Sequence, residues 1–71
     1  MISISHKKLG DRIKLLRSEQ KISREELAFR SDVSAAYVGM IERGEKDLKF
    51  SKLVNISNGL DIPLAKLVDF N

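Results

Sequence analysis

Residues 23–44 read Ser-Arg-Glu-Glu-Leu-Ala-Phe-Arg-Ser-Asp-Val-Ser-Ala-Ala-Tyr-Val-Gly-Met-Ile-Glu-Arg-Gly. Two helix starts and two helix stops lie in this stretch. Ser23 followed three residues later by Glu26 fits a capping box: the serine oxygen accepts a backbone N–H three residues on, and the glutamate reaches back. A helix therefore starts at Arg24, with Leu27 and Ala28 facing inward. Ser31-Asp32 stops it, because Asp tolerates the left-handed conformation better than most non-glycine residues. Ser34 then caps a further helix. Its inward residues are Val38 and Ile41, and Gly44 is its natural end. Ala28 is small where the two helices must approach. Leu27, Val33, Val38 and Ile41 are apolar where they must pack.

Outward from this pair the pattern stays helical. Leu9, Ile13 and Leu16 form one stripe at i, i+4, i+7, which predicts a helix over 6–18 capped by Ser5. After Gly44, a fourth helix is expected from Leu48 or Phe50 to Asn58. It should bury Phe50, Leu53, Val54 and Ile56 and end at Gly59. Ile62-Pro63 opens a fifth that runs to about Asp69, since proline suits a first helical turn. Four glycines, one proline and no alternating Val/Ile/Thr run argue against strands. The fold class expected is all-α, a five-helix arrangement in one domain over residues 1–71. Residues 1–5 are a candidate flexible arm.

Composition narrows the function. The chain has 71 residues, no cysteine and a formal charge of +3. Disulfides and thiolate metal sites are therefore excluded. No apolar run approaches the ~20 residues that span a bilayer, and no signal-like leader is visible, so a cytoplasmic location without membrane contact is expected. Eight basic side chains against four acidic ones lie in residues 1–30, and five against six in 31–71. Such an excess suits a polyanion partner, although charges also serve simply to solvate helix surfaces. His6 has no acidic cluster near it in sequence. Glu25 and Glu26 are consecutive, so they point to different azimuths and form no dyad; a helix N-terminus favours both. Enzyme chemistry, metal and cofactor are not expected.

The stretch 24–43 resembles the helix-turn-helix of the Cro/repressor-like family. The segment from Leu9 to Arg17 is similar to that family's first helix, and Leu53 to Ile62 to its closing helices. Leu48-Lys49 stands where most relatives have Pro-Ser. That and the start at Ser34-Ala35-Ala36-Tyr37-Val38 look most like the controllers of restriction–modification systems; a phage-type repressor or an antitoxin or adaptor would share the same motifs. The resemblance implies a sequence-specific regulator of transcription, without a small-molecule effector domain, that sets its third helix in the major groove of double-stranded DNA. Its reading positions would be Ala35, Ala36, Tyr37 and Met40, with Gly39 close by. Apolar groups there can meet a thymine methyl but make no bidentate bonds. Arg24 stands where the family usually has a phosphate-binding Gln. Arg43, Lys46 and Lys49 are further phosphate candidates, and Ser34 can both cap its helix and touch phosphate. Arg17 and Glu42 match a structural ion pair between the first and third helices. Lys21 stands where many relatives have Gly, and a lysine at positive φ is strained. Finally, Leu64, Val68 and Phe70 are more apolar residues than a short terminal helix needs for one core, which suggests a homodimer interface.

Overall fold

A computed structural model describes residues 5–69. Five α-helices and no strand occur among them: α1 (His6–Glu19), α2 (Arg24–Ser31), α3 (Ala35–Glu42), α4 (Phe50–Gly59) and α5 (Leu64–Leu67). Three starts are capped by serine. Ser5 Oγ accepts from Lys8 N at 3.1 Å, Ser23 Oγ from Glu26 N at 3.0 Å and Ser34 Oγ from Tyr37 N at 3.0 Å. The Glu26 carboxylate is held by Arg30 at 2.8 Å, one helical turn on.

Four helix ends close in the same way. Lys21, Asp32, Gly44 and Asp61 all take positive φ, at 57°, 57°, 76° and 56°. In each case the next residue's N–H donates to the carbonyl five residues back: Ile22 to Arg17, Val33 to Ala28, Glu45 to Met40 and Ile62 to Ser57. The left-handed residue's own N–H bonds to Ser18, Phe29, Ile41 and Asn58 respectively. This is the Schellman arrangement, which satisfies helix carbonyls that would otherwise be orphaned. Ile22, Val33 and Ile62 then pack on the core. The fourth helix therefore ends through Asp61, with Gly59 still inside it. Glycine is needed at 59 for space: a Cβ there would meet Ser31 Oγ and lie 3.2 Å from Leu27 Cδ1.

The core is one cluster of Leu9, Ile13, Leu16, Leu27, Ala28, Val38, Ile41, Ile56, Leu60 and Leu67. α3 lies against α1 and α2, and α2 also lies against α4. Phe50 is a correction to the sequence reading. It is 69 % exposed, because it opens α4 before that helix turns onto the core. Leu53 and Val54 are half-buried and Ile56 is fully buried. α5 is also shorter than the expected run to Asp69. Side-chain bonds to backbone tie the last elements to α1: Arg12 Nη2 donates to Lys66 O at 2.9 Å and Gln20 Nε2 to Leu60 O at 2.6 Å.

Gly10 sets how closely α1 approaches α3. A Cβ at this position would collide with the carbonyl oxygen of Ile41 and come within 2.9 Å of that of Glu42. Backbone atoms at a helix end cannot move aside cheaply, so the contact requires glycine. Two substitutions should therefore run against ordinary helix propensity. Gly10→Ala, normally a gain of about 1 kcal/mol within a helix, should lose at least about 2 kcal/mol here through overpacking. Lys21→Gly should gain about 1 kcal/mol by relieving left-handed strain. Urea unfolding of both variants beside the parent checks the two signs.

Candidate nucleic-acid interface

The amino ends of α2 and α3 sit side by side. Their shared face carries a shallow, open depression lined by Arg24, Glu25, Ala35, Ala36, Gly39, Met40 and Arg43. Ala36 is exposed, Ala35 and Met40 are half-buried and Gly39 is buried. This part of α3 thus presents small or flexible groups, with a guanidinium at each side. Tyr37 belongs elsewhere. It packs half-buried against the core and lines a second, more apolar hollow with Val33, Ser34 and Lys52. The structure therefore gathers six of the ten positions expected from sequence around one depression, Arg24 from α2 and Ala35, Ala36, Gly39, Met40 and Arg43 from α3 and its end. Lys46 and Lys49 are exposed in the segment between α3 and α4 and line neither hollow.

Glu25 and Lys52 had no such place in the sequence reading. Glu25 was assigned to the dipole of α2, and only the angle between α2 and α3 turns it into the depression. Lys52 comes to the Tyr37 hollow from α4, which packs on α2. No local pattern encodes either placement.

Glu42 is the electrostatic centre of the arrangement. Its side chain is only 2 % exposed. Arg17 donates to it twice, from Nε at 2.7 Å and Nη2 at 3.2 Å, and Arg24 donates from Nε at 3.1 Å. Arg17 Nη1 also donates to Ile22 O at 2.9 Å, which links the ion pair to the closure of α1. Burial alone would raise the Glu42 pKa. The hydrogen bonds and charges of Arg17 and Arg24 outweigh it, and the carboxyl is held below its ordinary 4.5. Arg24 thus has its Nε occupied while its side chain remains 48 % exposed beside the depression. On the other side, Arg43 is held by Glu45, from Nε at 2.9 Å and Nη2 at 3.2 Å. That contact keeps the Glu45 carboxyl below its usual range.

Of the dimer candidates, Leu64 and Val68 are half-buried, with Leu64 packed against the core, and Phe70 lies outside the described residues.

Residues 13–67 match the helix-turn-helix (HTH_3) family. The chain belongs to that family, and it is a DNA-binding regulator of transcription. Over 62 residues it is 32 % identical to control protein C.BamHI of Bacillus amyloliquefaciens, covering 86 % of this chain and 76 % of that one. Among solved structures it is similar to the restriction-modification controller protein C.AhdI from Aeromonas hydrophila. The TM-score there is 0.85 with 34 % identity, over 87 % of this chain and 94 % of the other. It is also similar to the clp gene regulator ClgR from Corynebacterium glutamicum, with a TM-score of 0.86 and 26 % identity, over 93 % of this chain and 70 % of that one.

The geometry around Glu42 sets an order of stability effects. Glu42→Ala should cost about 3 kcal/mol, because it leaves the mostly buried Arg17 without its carboxylate. Arg24→Ala should cost less than about 1 kcal/mol, since the lost partner is half exposed. The lowered pKa also fixes a pH window. A carboxyl with a depressed folded-state pKa contributes stability above its unfolded value near 4.5, and that contribution is lost as pH falls through the folded value. Melting temperature should therefore drop on acidification below about pH 4.5 more steeply in the parent than in Glu42→Gln, as thermal melts across pH 3–6 will show.

Proposed function

We propose that this chain is a homodimeric, sequence-specific regulator that lays α3 in the major groove of double-stranded DNA and controls a restriction–modification operon. One observation carries the reading: Ala35, Ala36, Met40, Arg24 and Arg43 meet on a single open face formed by α3, its end and the start of α2. A helix fits the major groove of B-DNA, and its amino-terminal residues meet base edges when it docks there. The small residues of α3 let the backbone come close to the bases. Arg24, at the first position of α2, is placed for a phosphate that the amino end of that helix also favours. Lys46 and Lys49 are exposed and supply further phosphate contacts. The likeness to C.BamHI and C.AhdI supports the restriction–modification setting. The likeness to ClgR supports a second reading, a regulator of genes outside such an operon.

Two copies would pair through Leu64 of α5 and Val68 just after it; the third candidate, Phe70, lies outside the described residues. Their half-sites would lie about 34 Å apart, one turn of the duplex.

Selection of bound duplexes from a random pool tests the whole reading and locates the genes concerned. A selected site upstream of restriction and methyltransferase genes supports the first setting, and a site elsewhere the second. Ala36→Asp should weaken binding at least about a hundredfold, since it sets a carboxylate against the duplex, and should leave the thermal melt unchanged. Arg24→Ala and Lys46→Ala should each lower the slope of log affinity against log salt by about one. Unchanged affinity of Ala36→Asp with an unchanged melt would remove α3 from the groove. Sedimentation of a dimer at micromolar concentration, reduced to monomer by Leu64→Glu, is expected for the pairing.

A further inference from the structure

We infer that Arg43 reads a guanine from the face of α3 and that Glu45 gates it; this rests on the reading of α3 given above. The α3 residues lining the depression, Ala35, Ala36, Gly39 and Met40, offer no side-chain N–H or O–H. Arg24 lines it too, but its Nε is engaged by the buried Glu42. Arg24 and Glu25 reach the depression from the start of α2, so the polar side chain that α3 and its own closure bring to this face is that of Arg43.

The position of the guanidinium fits that task. Gly39 lies one helical turn before Arg43, and a Cβ built on it would be 3.1 Å from Arg43 Nη1 and 3.9 Å from Cζ. The guanidinium therefore lies back over the helix at a residue without a side chain. It is 55 % exposed and borders the same depression as Ala35 and Ala36. A charge held back over Gly39, beside Ala35, Ala36 and Met40, is placed for bases, whereas the exposed Lys46 and Lys49 line no part of the depression and are placed for the backbone of the duplex.

Glu45 occupies the atoms that such reading needs. Its two carboxylate oxygens take Arg43 Nε and Nη2 as a fork. A guanine presents O6 and N7 in the major groove as a pair of acceptors, and a bidentate arginine is the commonest specific contact to it. The carboxylate and the guanine edge compete for one guanidinium. Glu45 is kept in place by the closure of α3: Gly44 turns the chain at φ 76°, and Glu45 N donates to Met40 O at 2.9 Å. The ion pair is exposed at both ends, so its exchange is easy. A duplex carrying guanine at the right step replaces Glu45. Another base leaves Arg43 on Glu45 and leaves a carboxylate facing the DNA. Glu45 thus sharpens discrimination by making the wrong sequence worse.

The test uses the full chain and four proteins: parent, Arg43→Ala, Glu45→Gln and the double variant. Each is used to select duplexes from a random pool, and each is titrated with the parent's selected duplex and with that duplex altered at one guanine. Arg43→Ala should lose the preference for guanine at one step per half-site and keep the rest of the consensus. Its affinity for the parent's duplex should fall roughly 10- to 100-fold, and the altered duplex should bind it no worse. Glu45→Gln should bind both duplexes more tightly and discriminate between them less, and this gain should vanish in the Arg43→Ala background. An Arg43→Ala consensus identical to the parent's, with uniformly weaker binding, would make Arg43 a phosphate contact and overturn the inference. An equal gain from Glu45→Gln in both backgrounds would reduce Glu45 to general repulsion and overturn the gate. Failure of the parent to enrich any duplex would instead defeat the reading of α3 on which both rest.

Discussion

A buried carboxylate cannot be left without partners, and Glu42 places that demand at the last residue of α3. Arg17 meets it from α1 and Arg24 from the first position of α2. Three helices are thereby tied at one point. The same end of α3 is constrained by close packing, since Gly10 of α1 lies directly against the carbonyls of Ile41 and Glu42. Charge and steric contact together fix the end of α3 relative to both neighbours. The face that carries Ala35, Ala36 and Met40 has its orientation because the opposite side of the helix is held in this way. An interior ion pair is costly to desolvate and costlier to break. Its value here lies in specifying one arrangement of the three helices.

The helix closures have a related effect. Each places one residue in left-handed backbone and drops the following residue onto the core or back against the helix. At α1, α2 and α4 that following residue is Ile22, Val33 or Ile62, so the turn and the hydrophobic packing are one device. At α3 the following residue is Glu45, which stays at the surface and takes the guanidinium of Arg43. The one of these four closures without an apolar follower is the one beside the depression between α2 and α3. α3 thus turns its own carboxylate, Glu42, inward and leaves its outer face nearly free of polar side chains. The charged groups of that face come from the start of α2 and the end of α3.

Much of this architecture is local in origin. Serines at 5, 23 and 34 mark helix starts because each can supply an oxygen to a backbone N–H that the helix leaves unpaired. Asp32 and Gly44 mark ends because their backbones accept left-handed angles, and the spacing of Leu9, Ile13 and Leu16 marks the buried side of α1. These are properties of a few adjacent residues, so the five helices and the motif are legible from the order of residues alone. The likeness of residues 9–62 to a known family adds the expectation of a DNA-facing third helix, and the Arg17 and Glu42 charges suggest their own pairing.

Tertiary structure decided what depends on distance between elements. Gly59 looks like a helix end, but it stays helical because α2 passes too close for a side chain, and the turn falls two residues later at Asp61. Phe50 has the composition of a core residue but lies at an exposed helix start. Tyr37 adjoins Ala36 in sequence yet faces a different hollow, because successive residues of a helix point about a hundred degrees apart. Glu25 enters the depression, and Arg24 reaches Glu42, only once α2 and α3 have taken their mutual angle. Local hydrogen bonding and periodicity determine the elements, whereas the meeting of side chains 18 or 25 positions apart is set by how helices pack around a shared core.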